Sequence, residues 1–184
     1  NISFGADIGT TEYNALDHAV ASAVAQGVVV VVAAGNDGID AATVTPAHVR
    51  EAITVGAFES TPATFASFSN FGDVVDILAP GVDILSMSTE AGRSAPPALM
   101  SGTSTAAPHV AGAAALLLAR TPALTPAEVQ DAIVSAAQAR SLTIYGAPAN
   151  TTNLSLWVAE SQTDSSDAPT ETDGKPGRKG GPKN

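Results

Sequence analysis

Residues 27–36 read Gly-Val-Val-Val-Val-Val-Ala-Ala-Gly-Asn. The run 28–33 shows no alternation of apolar and polar side chains, so a strand formed from it is apolar on both faces. Such strands occur in parallel sheets whose two faces are covered by helices. Apolar residues at helical spacing precede the run over 11–26, and Gly27 separates the two. Helix, glycine and buried strand form half of a β-α-β unit. This predicts an α/β fold with three α/β/α layers and a mostly parallel sheet.

The segments downstream of this unit fit the same fold class. Shorter strands are predicted between turn-rich pieces at 52–57, 74–78 and 83–87. A buried helix is predicted at 104–119, with Pro108 near its start, where a missing N–H is expected to cost little. A second helix is predicted from a capping box formed by Thr125 and Glu128 to about residue 139.

Composition excludes several classes of protein. The chain has 184 residues, no cysteine and a formal net charge of −10. Without cysteine, neither a disulfide framework nor a thiolate site can form. The acidic balance argues against nucleic-acid binding. The longest apolar run, 110–119, is about half the length that spans a bilayer. We therefore expect no nucleic-acid and no membrane partner.

The chain changes character after Val158. Residues 159–184 contain no apolar side chain larger than alanine and are rich in Ser, Thr, Asp, Gly, Pro and Lys. A segment of this kind buries too little surface to offset its ordering entropy. We predict a packed unit over 1–158 and a disordered polar tail over 159–184.

The strongest chemical signal is the segment 101–112, SGTSTAAPHVAG. Ser104 lies in the first turn of the predicted buried helix, where the helix N-terminus favours negative charge. Its backbone N–H can donate to the oxyanion that forms when a serine attacks a carbonyl group. Small neighbours allow a substrate to approach closely. The alternative is a helix N-cap serine in a packing seam of small residues.

A second signal lies at the carboxyl end of the buried strand, where open parallel sheets place their ligand crevices. Asn36 follows Gly35 there, and its side-chain amide can supply a second donor to the same oxyanion. Taken alone, Asn36-Asp37-Gly38 is also an ordinary turn sequence. If both residues are functional, Asn36 and Ser104 must converge in the fold.

Together these segments resemble the subtilisin-like serine proteases, and within them the proteinase K branch. The resemblance covers most of residues 1–157 in one ordered series: 1–5 (NISFG), 32–36 (VAAGN), 45–47 (TPA), 53–57 (ITVGA), 68–72 (FSNFG), 76–81 (DILAPG) and 101–112. It implies a subtilisin-like fold, incomplete at its N-terminus, with 1–158 as the C-terminal part of the peptidase domain. The bond between Thr45 and Pro46 aligns with one that is cis in relatives.

The resemblance assigns roles to individual residues. Ser104 is implied as the nucleophile that forms an acyl-enzyme, and Asn36 as the side-chain donor of the oxyanion hole. Two walls of the first specificity pocket are implied, one formed by Ser3, Phe4 and Gly5 and the other by Ala33, Ala34 and Gly35. These walls are small and uncharged, which implies a roomy apolar pocket and a broad endoproteolytic preference.

A structural calcium site is a further implication, and no cofactor is expected for catalysis. Asp76 matches an aspartate that binds calcium together with two backbone carbonyl groups, which fall at Arg50 and Ala52 in this chain. One carboxylate and carbonyl oxygens suit a hard cation. The alternative is an aspartate that caps the turn at Phe71 and Gly72.

The other two triad members are not assigned in this chain. The family order is Asp, then His, then Ser, with the first two upstream of the segment that matches 1–5. Asp7 lies downstream of that segment. His18 and His109 lie on predicted helices, and neither they nor His48 occupies the family position of the base. We interpret all four residues as structural.

The resulting expectation is a serine endopeptidase acting on protein or peptide substrates, monomeric, and extracellular or in a vacuolar compartment. One alternative is a catalytically inactive pseudo-protease that serves as a binding or structural module. An unrelated α/β hydrolase is disfavoured, because the sequence has no Gly-x-Ser-x-Gly elbow.

Overall fold

The computed structural model describes residues 1–87, 97–140 and 142–158. These residues form three α-helices and eight strands. The helices are α1 (Ala15–Ala25), α2 (Thr103–Arg120) and α3 (Pro126–Arg140). The strands are β1 (Ala6–Asp7), β2 (Val31–Ala33), β3 (Val44–Thr45), β4 (Ile53–Ser60), β5 (Ala63–Phe65), β6 (Ile77–Pro80), β7 (Ile84–Ser86) and β8 (Ala98–Met100).

A mainly parallel sheet carries the fold. Strand β4 pairs in parallel with β2 and with β6, and β5 folds back antiparallel onto the end of β4. On the other side of β2, Ile2 makes a parallel bridge to Val32. Two antiparallel pairs, β1 with β3 and β7 with β8, lie apart from this sheet. The carboxyl ends of β2 and β6 therefore meet at one edge of the sheet.

Alternate residues of β2 face opposite layers. Val31 and Ala33 belong to the core beneath α2 and α3, whereas Val30 and Val32 pack with residues of α1. A strand buried on both faces needs apolar residues at every position, as the sequence indicated. The predicted three-layer α/β/α arrangement is confirmed.

Strand β2 is shorter than the predicted 28–33. The N–H groups of Gly27 and Val28 donate to carbonyl groups of the last turns of α1. The chain is therefore still turning at these positions, and Val28 is 52% exposed. The apolar run continues beyond the part of the chain that pairs, so apolar character alone did not reveal where the strand begins.

The helix ends follow from local chemistry. At the start of α3, Glu128 accepts from the Thr125 N–H and the Thr125 hydroxyl accepts from the Glu128 N–H, which is the predicted capping box. An equivalent box at α1, formed by Asn14 and Asp17, was not predicted. The Thr45–Pro46 bond is cis. The predicted tail, 159–184, lies outside the described residues.

Candidate active site

Ser104 is the second residue of α2, which begins after Gly102 without a side-chain cap. The first N–H groups of a helix have no partner inside it. Thr103 N–H donates to the Asn36 side chain, but in the described part of the chain Ser104 N–H has no acceptor. The start of α2 therefore presents a free N–H donor beside the Ser104 hydroxyl.

Asn36 provides a second free donor. Its Oδ1 accepts from Thr103 N–H at 2.7 Å and from the Thr103 hydroxyl at 3.0 Å. Since a backbone N–H can only donate, this contact fixes which end of the amide carries the oxygen. Nδ2 is then left on the opposite side, without an acceptor among the described residues. Asn36 itself is exposed to solvent.

Gly102 lies close to both donors. A Cβ atom placed on Gly102 would lie 3.6 Å from Asn36 Nδ2 and 3.6 Å from Ser104 N. The two nitrogens are thus no more than twice that distance apart. Gly102 has φ of +155°, a conformation that side chains rarely adopt. The structure brings Asn36 and Ser104 together, and the glycine between them leaves the space beside both donors empty.

Pro108 lacks the N–H that would continue the hydrogen bonding of α2, and a distant residue supplies the missing donor. It is the sixth residue of α2, so its N–H would have bonded the Ser104 carbonyl. The Ser3 hydroxyl donates to that carbonyl instead, at 3.1 Å. In return, the Ser104 hydroxyl donates to the Ser3 carbonyl at 3.1 Å. Because Pro108 leaves the Ser104 carbonyl without its helical donor, that carbonyl can accept from the Ser3 hydroxyl, and this hydrogen bond joins the Ser104 backbone to residue 3.

A cavity of about 250 Å³ lies against this pair. Of the residues predicted to form its walls, Ser3, Phe4, Gly5, Ala33 and Gly35 line it. Ala34 does not line it, because it is fully buried in a separate core cluster. The structure adds lining residues that the sequence did not indicate: Ala6, Asp37, Val44 and Thr103.

Thr103 is the most informative of the residues that were missed. Its Oγ1 accepts from Gly35 N–H at 3.1 Å while it donates to Asn36 Oδ1. One hydroxyl thus connects the start of α2 to the end of β2. The Gly-Thr-Ser sequence at the start of α2 was a possible signal for it, because it places a side-chain hydroxyl directly before the predicted nucleophile.

None of the three histidines of the chain makes a hydrogen bond to Ser104. His109 lines a neighbouring cavity together with Ser104, but its Nδ1 lies 2.8 Å from the Thr105 carbonyl. His48 is buried with Nε2 2.9 Å from Asp17. His18 packs edge-on against Tyr13. These histidines have structural contacts, as expected.

Asp7 also has structural contacts. Its carboxylate accepts from Gly9 N–H and from the Thr43 hydroxyl, and these hydrogen bonds lower the pKa of Asp7. It is an exposed residue at the end of β1. The part of the chain that the structure describes therefore places a serine hydroxyl beside two N–H donors, with no base in contact with Ser104.

Asp76, the candidate calcium ligand, is largely buried beside β4. Its Oδ2 accepts from Thr54 N–H at 2.7 Å and its Oδ1 from Gln130 Nε2 at 3.1 Å. Burial raises the pKa of Asp76 to about 6, against the lowering effect of these hydrogen bonds and of Arg50. The alternative role, a cap on the turn at residues 71–72, is wrong. Phe71 N–H donates to a backbone carbonyl and Gly72 N–H to Thr151.

The residues predicted to bind calcium with Asp76 would supply oxygen donors, which suit a hard cation. In the described part of the chain, the carbonyl oxygens of Arg50 and Ala52 accept no hydrogen bond. The Arg50 guanidinium turns away to Asp73. No cluster of three or more His, Cys, Asp or Glu side chains with metal-binding geometry occurs among the described residues. A cation here would depend on one carboxylate, carbonyl oxygens and water.

Comparison with known proteins identifies the class to which this fold and site belong. A sequence model described as the subtilase family matches residues 1–169. The chain therefore belongs to the subtilase family.

Individual relatives agree with this assignment. The chain is 48% identical to subtilisin-like protease 2 of Pseudogymnoascus destructans over 128 residues, which are 70% of this chain and 31% of that protein. It is 48% identical over 137 residues to an extracellular serine proteinase of Thermus sp. strain Rt41A, covering 73% of this chain and 31% of the relative.

A crystal structure of a cold-adapted subtilisin-like serine proteinase superposes with a TM-score of 0.71 at 37% identity. That match covers 85% of this chain and 54% of the solved one. The chain spans about a third of the length of these curated relatives and about half of the solved structure. In the described residues, no helix combines the length and apolar character needed to cross a membrane.

Proposed function

We propose that this chain is the nucleophile-bearing part of a serine endopeptidase that hydrolyses peptide bonds through an acyl-enzyme on Ser104. One observation carries the proposal. Two unpartnered donors, Asn36 Nδ2 and Ser104 N–H, flank the gap at Gly102 beside the Ser104 hydroxyl. Donors fixed before the reaction stabilise developing charge without reorganising, and this is often the largest single contribution to acyl-transfer catalysis.

The substrate would enter along residues 3–5. In the described part of the chain, the backbone N–H and carbonyl groups of Phe4 make no hydrogen bond, so they are available to a peptide. The scissile carbonyl oxygen would lie between the two donors. Ala33 and Gly35 would form the opposite wall of the pocket, which favours apolar side chains without strong selection.

In the first covalent step, Ser104 Oγ bonds to the carbonyl carbon and the amine leaves, while the serine proton passes through a base to that amine. Within the described residues the Ser104 hydroxyl donates to the Ser3 carbonyl, which cannot take the proton. The base that takes the proton must therefore be a group that does not contact Ser104 within the described residues. Water then cleaves the acyl-enzyme and releases the acid product.

Protein or peptide substrates and a secreted location follow from the relatives rather than from the geometry. One relative is named an extracellular serine proteinase and another a cuticle-degrading serine protease. We propose that the protein is likewise a secreted, monomeric protease, with a vacuolar compartment as the second candidate.

A serine-directed phosphonate probe tests the proposed function. In the longest natural form of the protein, we expect the probe to label Ser104, identified by mass spectrometry of the peptide that contains it. Pre-incubation with a peptide aldehyde should block the labelling. The chain 1–184 alone should label far more slowly, since an unassisted serine hydroxyl is a weak nucleophile. Absence of labelling in the longer protein would instead favour the pseudo-protease.

We also propose a structural calcium ion held by the Asp76 carboxylate and the carbonyl groups of Arg50 and Ala52. It would have no part in catalysis. What supports it is a carboxylate that is largely withdrawn from water without a cation in direct contact. A bound cation would offset the cost of keeping this group ionised.

Without a bound cation, the raised pKa of Asp76 predicts a specific pH dependence of the free energy of unfolding. The folded Asp76 carboxyl keeps its proton up to about pH 6, whereas its ordinary pKa is 3.8. Between these values the native state binds more protons than the unfolded state. The free energy of unfolding should therefore fall as pH rises from about 4 to 6, by at most about 3 kcal/mol.

Thermal unfolding in a chelator, followed from pH 4 to pH 7, measures this effect. Asp76→Asn should remove the contribution, and added calcium should raise the Tm of the unaltered protein above pH 6 but not that of the variant. An equal pH slope in the variant would refute the assignment to Asp76. If the stability of the unaltered protein shows this pH dependence but its Tm does not respond to calcium, the proposed calcium ion is refuted and the pKa assignment to Asp76 stands.

A further inference from the structure

We propose that Asn70 is a positioning residue that holds the oxyanion donor Asn36 in place. This inference rests on the proposed function, since it assigns Asn70 a part in the same oxyanion site. Asn70 is fully buried, on a turn between β5 and β6, and does not line the cavity beside Ser104. Buried side-chain amides are nearly always hydrogen-bonded, so the partners of Asn70 indicate what it does.

The hydrogen bonds of Asn70 supply that reason. Its Oδ1 accepts from the N–H groups of Asp37 at 2.9 Å and Ile39 at 3.2 Å. Its Nδ2 donates to the Ala34 carbonyl at 2.9 Å, and its backbone N–H donates to the Gly35 carbonyl at 2.9 Å. Every one of these bonds ends on the segment 34–39, which contains Asn36.

The bonds bracket Asn36 on both sides. The Gly35 carbonyl belongs to the peptide unit before Asn36, and the Asp37 N–H belongs to the peptide unit after it. With both units held by one rigid buried residue, the Asn36 backbone has little freedom to shift. Its side chain is held separately by Thr103. Asn70 and Thr103 thus fix the two ends of the same residue, its backbone and its amide.

Gly35 shows how closely the two segments approach. A Cβ atom on Gly35 would collide with Asn70 Nδ2, and Gly35 has φ of +104°. Only glycine fits both conditions. The neighbouring backbone bonds from Gly38 to Phe68 and from Phe71 to Ile39 extend the same contact. The loop after β2 therefore packs against the segment around Asn70.

The kinetic test uses the longest natural form of the protein. Asn70→Ala should lower kcat by about 10- to 100-fold with KM changed less than about 3-fold, because a displacement of about 1 Å in a catalytic group costs up to about 10²-fold. Asn70→Asp keeps the Oδ1 acceptor and should retain more activity, and it replaces Asn70→Ala if that variant fails to fold. Ser155→Ala is the matched control, since Ser155 is also buried but its hydroxyl accepts from Leu142 N–H, outside the segment 34–39.

A double-mutant cycle separates positioning from general stability. If Asn70 acts through Asn36, then Asn70→Ala should cost less than about 3-fold once Asn36→Ala is present. An unchanged cost in that background would overturn the proposal. So would a loss of kcat in Ser155→Ala equal to that in Asn70→Ala at matched loss of Tm.

Amide hydrogen exchange distinguishes failure of this inference from failure of the proposed function. Asn70→Ala should speed exchange at Asp37 and Ile39, and Ser155→Ala should not, whether or not the protein hydrolyses peptides. Unchanged exchange in Asn70→Ala would overturn the positioning role even in an active enzyme. Faster exchange in a protein without Ser104-dependent hydrolysis would uphold the contact and reject only the activity.

Discussion

Ser104→Ala is expected to lower the kcat of the complete protease by about 10⁶-fold, a magnitude taken from subtilisin rather than deduced from this structure. The variant removes the atom that forms the acyl-enzyme, so only oxyanion stabilisation and substrate binding remain. KM should change little, because the substitution removes one oxygen and leaves the walls formed by Phe4, Gly5, Ala33 and Gly35 unaltered. Hydrolysis of a chromogenic peptide, with a detection limit well below the expected rate, measures the effect.

Ser101→Ala provides the control for this experiment. Ser101 lies three residues before the proposed nucleophile, is exposed, and accepts a hydrogen bond from Asp83 N–H. Its replacement should leave kcat within about 3-fold, as for most surface substitutions. Retention of more than about 1% of activity in Ser104→Ala would mean that another residue is the nucleophile.

Much of the fold was predictable because it depends on residues that are close in sequence. The apolar run before Gly35 requires cover on both faces, and the structure provides α1 on one face and α2 on the other. Pairings that depend on distant segments were not predictable. Leu78, in β6, bonds to Leu154 and Leu156 near the end of the described chain. No local pattern specifies that contact, since it depends on how the whole chain folds back.

The residues of the candidate site also differ in whether they could be predicted from the sequence. Ser104 and Asn36 were indicated by element ends whose local geometry favours a donor, and the resemblance to the subtilisin-like proteases then favoured the functional role over the structural one. Asn70 was not, because within its own turn it resembles any other polar turn residue. Its partner Ala34 is 36 positions away. Pro108 was interpretable in principle, since counting four residues back leads to the Ser104 carbonyl, but the Ser3 hydroxyl that satisfies this carbonyl comes from a distant segment.

Asn36→Ala is expected to lower kcat by about 10²–10³-fold, the cost of removing the side-chain oxyanion donor in subtilisin. The expected mechanism is loss of the Nδ2 donor, which acts on the oxygen only when that oxygen carries charge. KM for a good peptide substrate should therefore change by less than about 3-fold. Steady-state kinetics of a chromogenic peptide, together with the affinity for a peptide aldehyde, separates transition-state from ground-state binding.

Asn36→Asp distinguishes donation from anchoring. This variant can still accept from Thr103 N–H, so it keeps the contact that holds the start of α2 against the loop after β2. It replaces the donor with a carboxylate oxygen, which repels the developing oxyanion. If Asn36 acts as a donor, Asn36→Asp should lose at least as much kcat as Asn36→Ala while keeping a Tm closer to that of the unaltered protein. If Asn36→Asp instead restores activity, the amide serves only to hold Thr103, and the oxyanion would depend on Ser104 N–H alone.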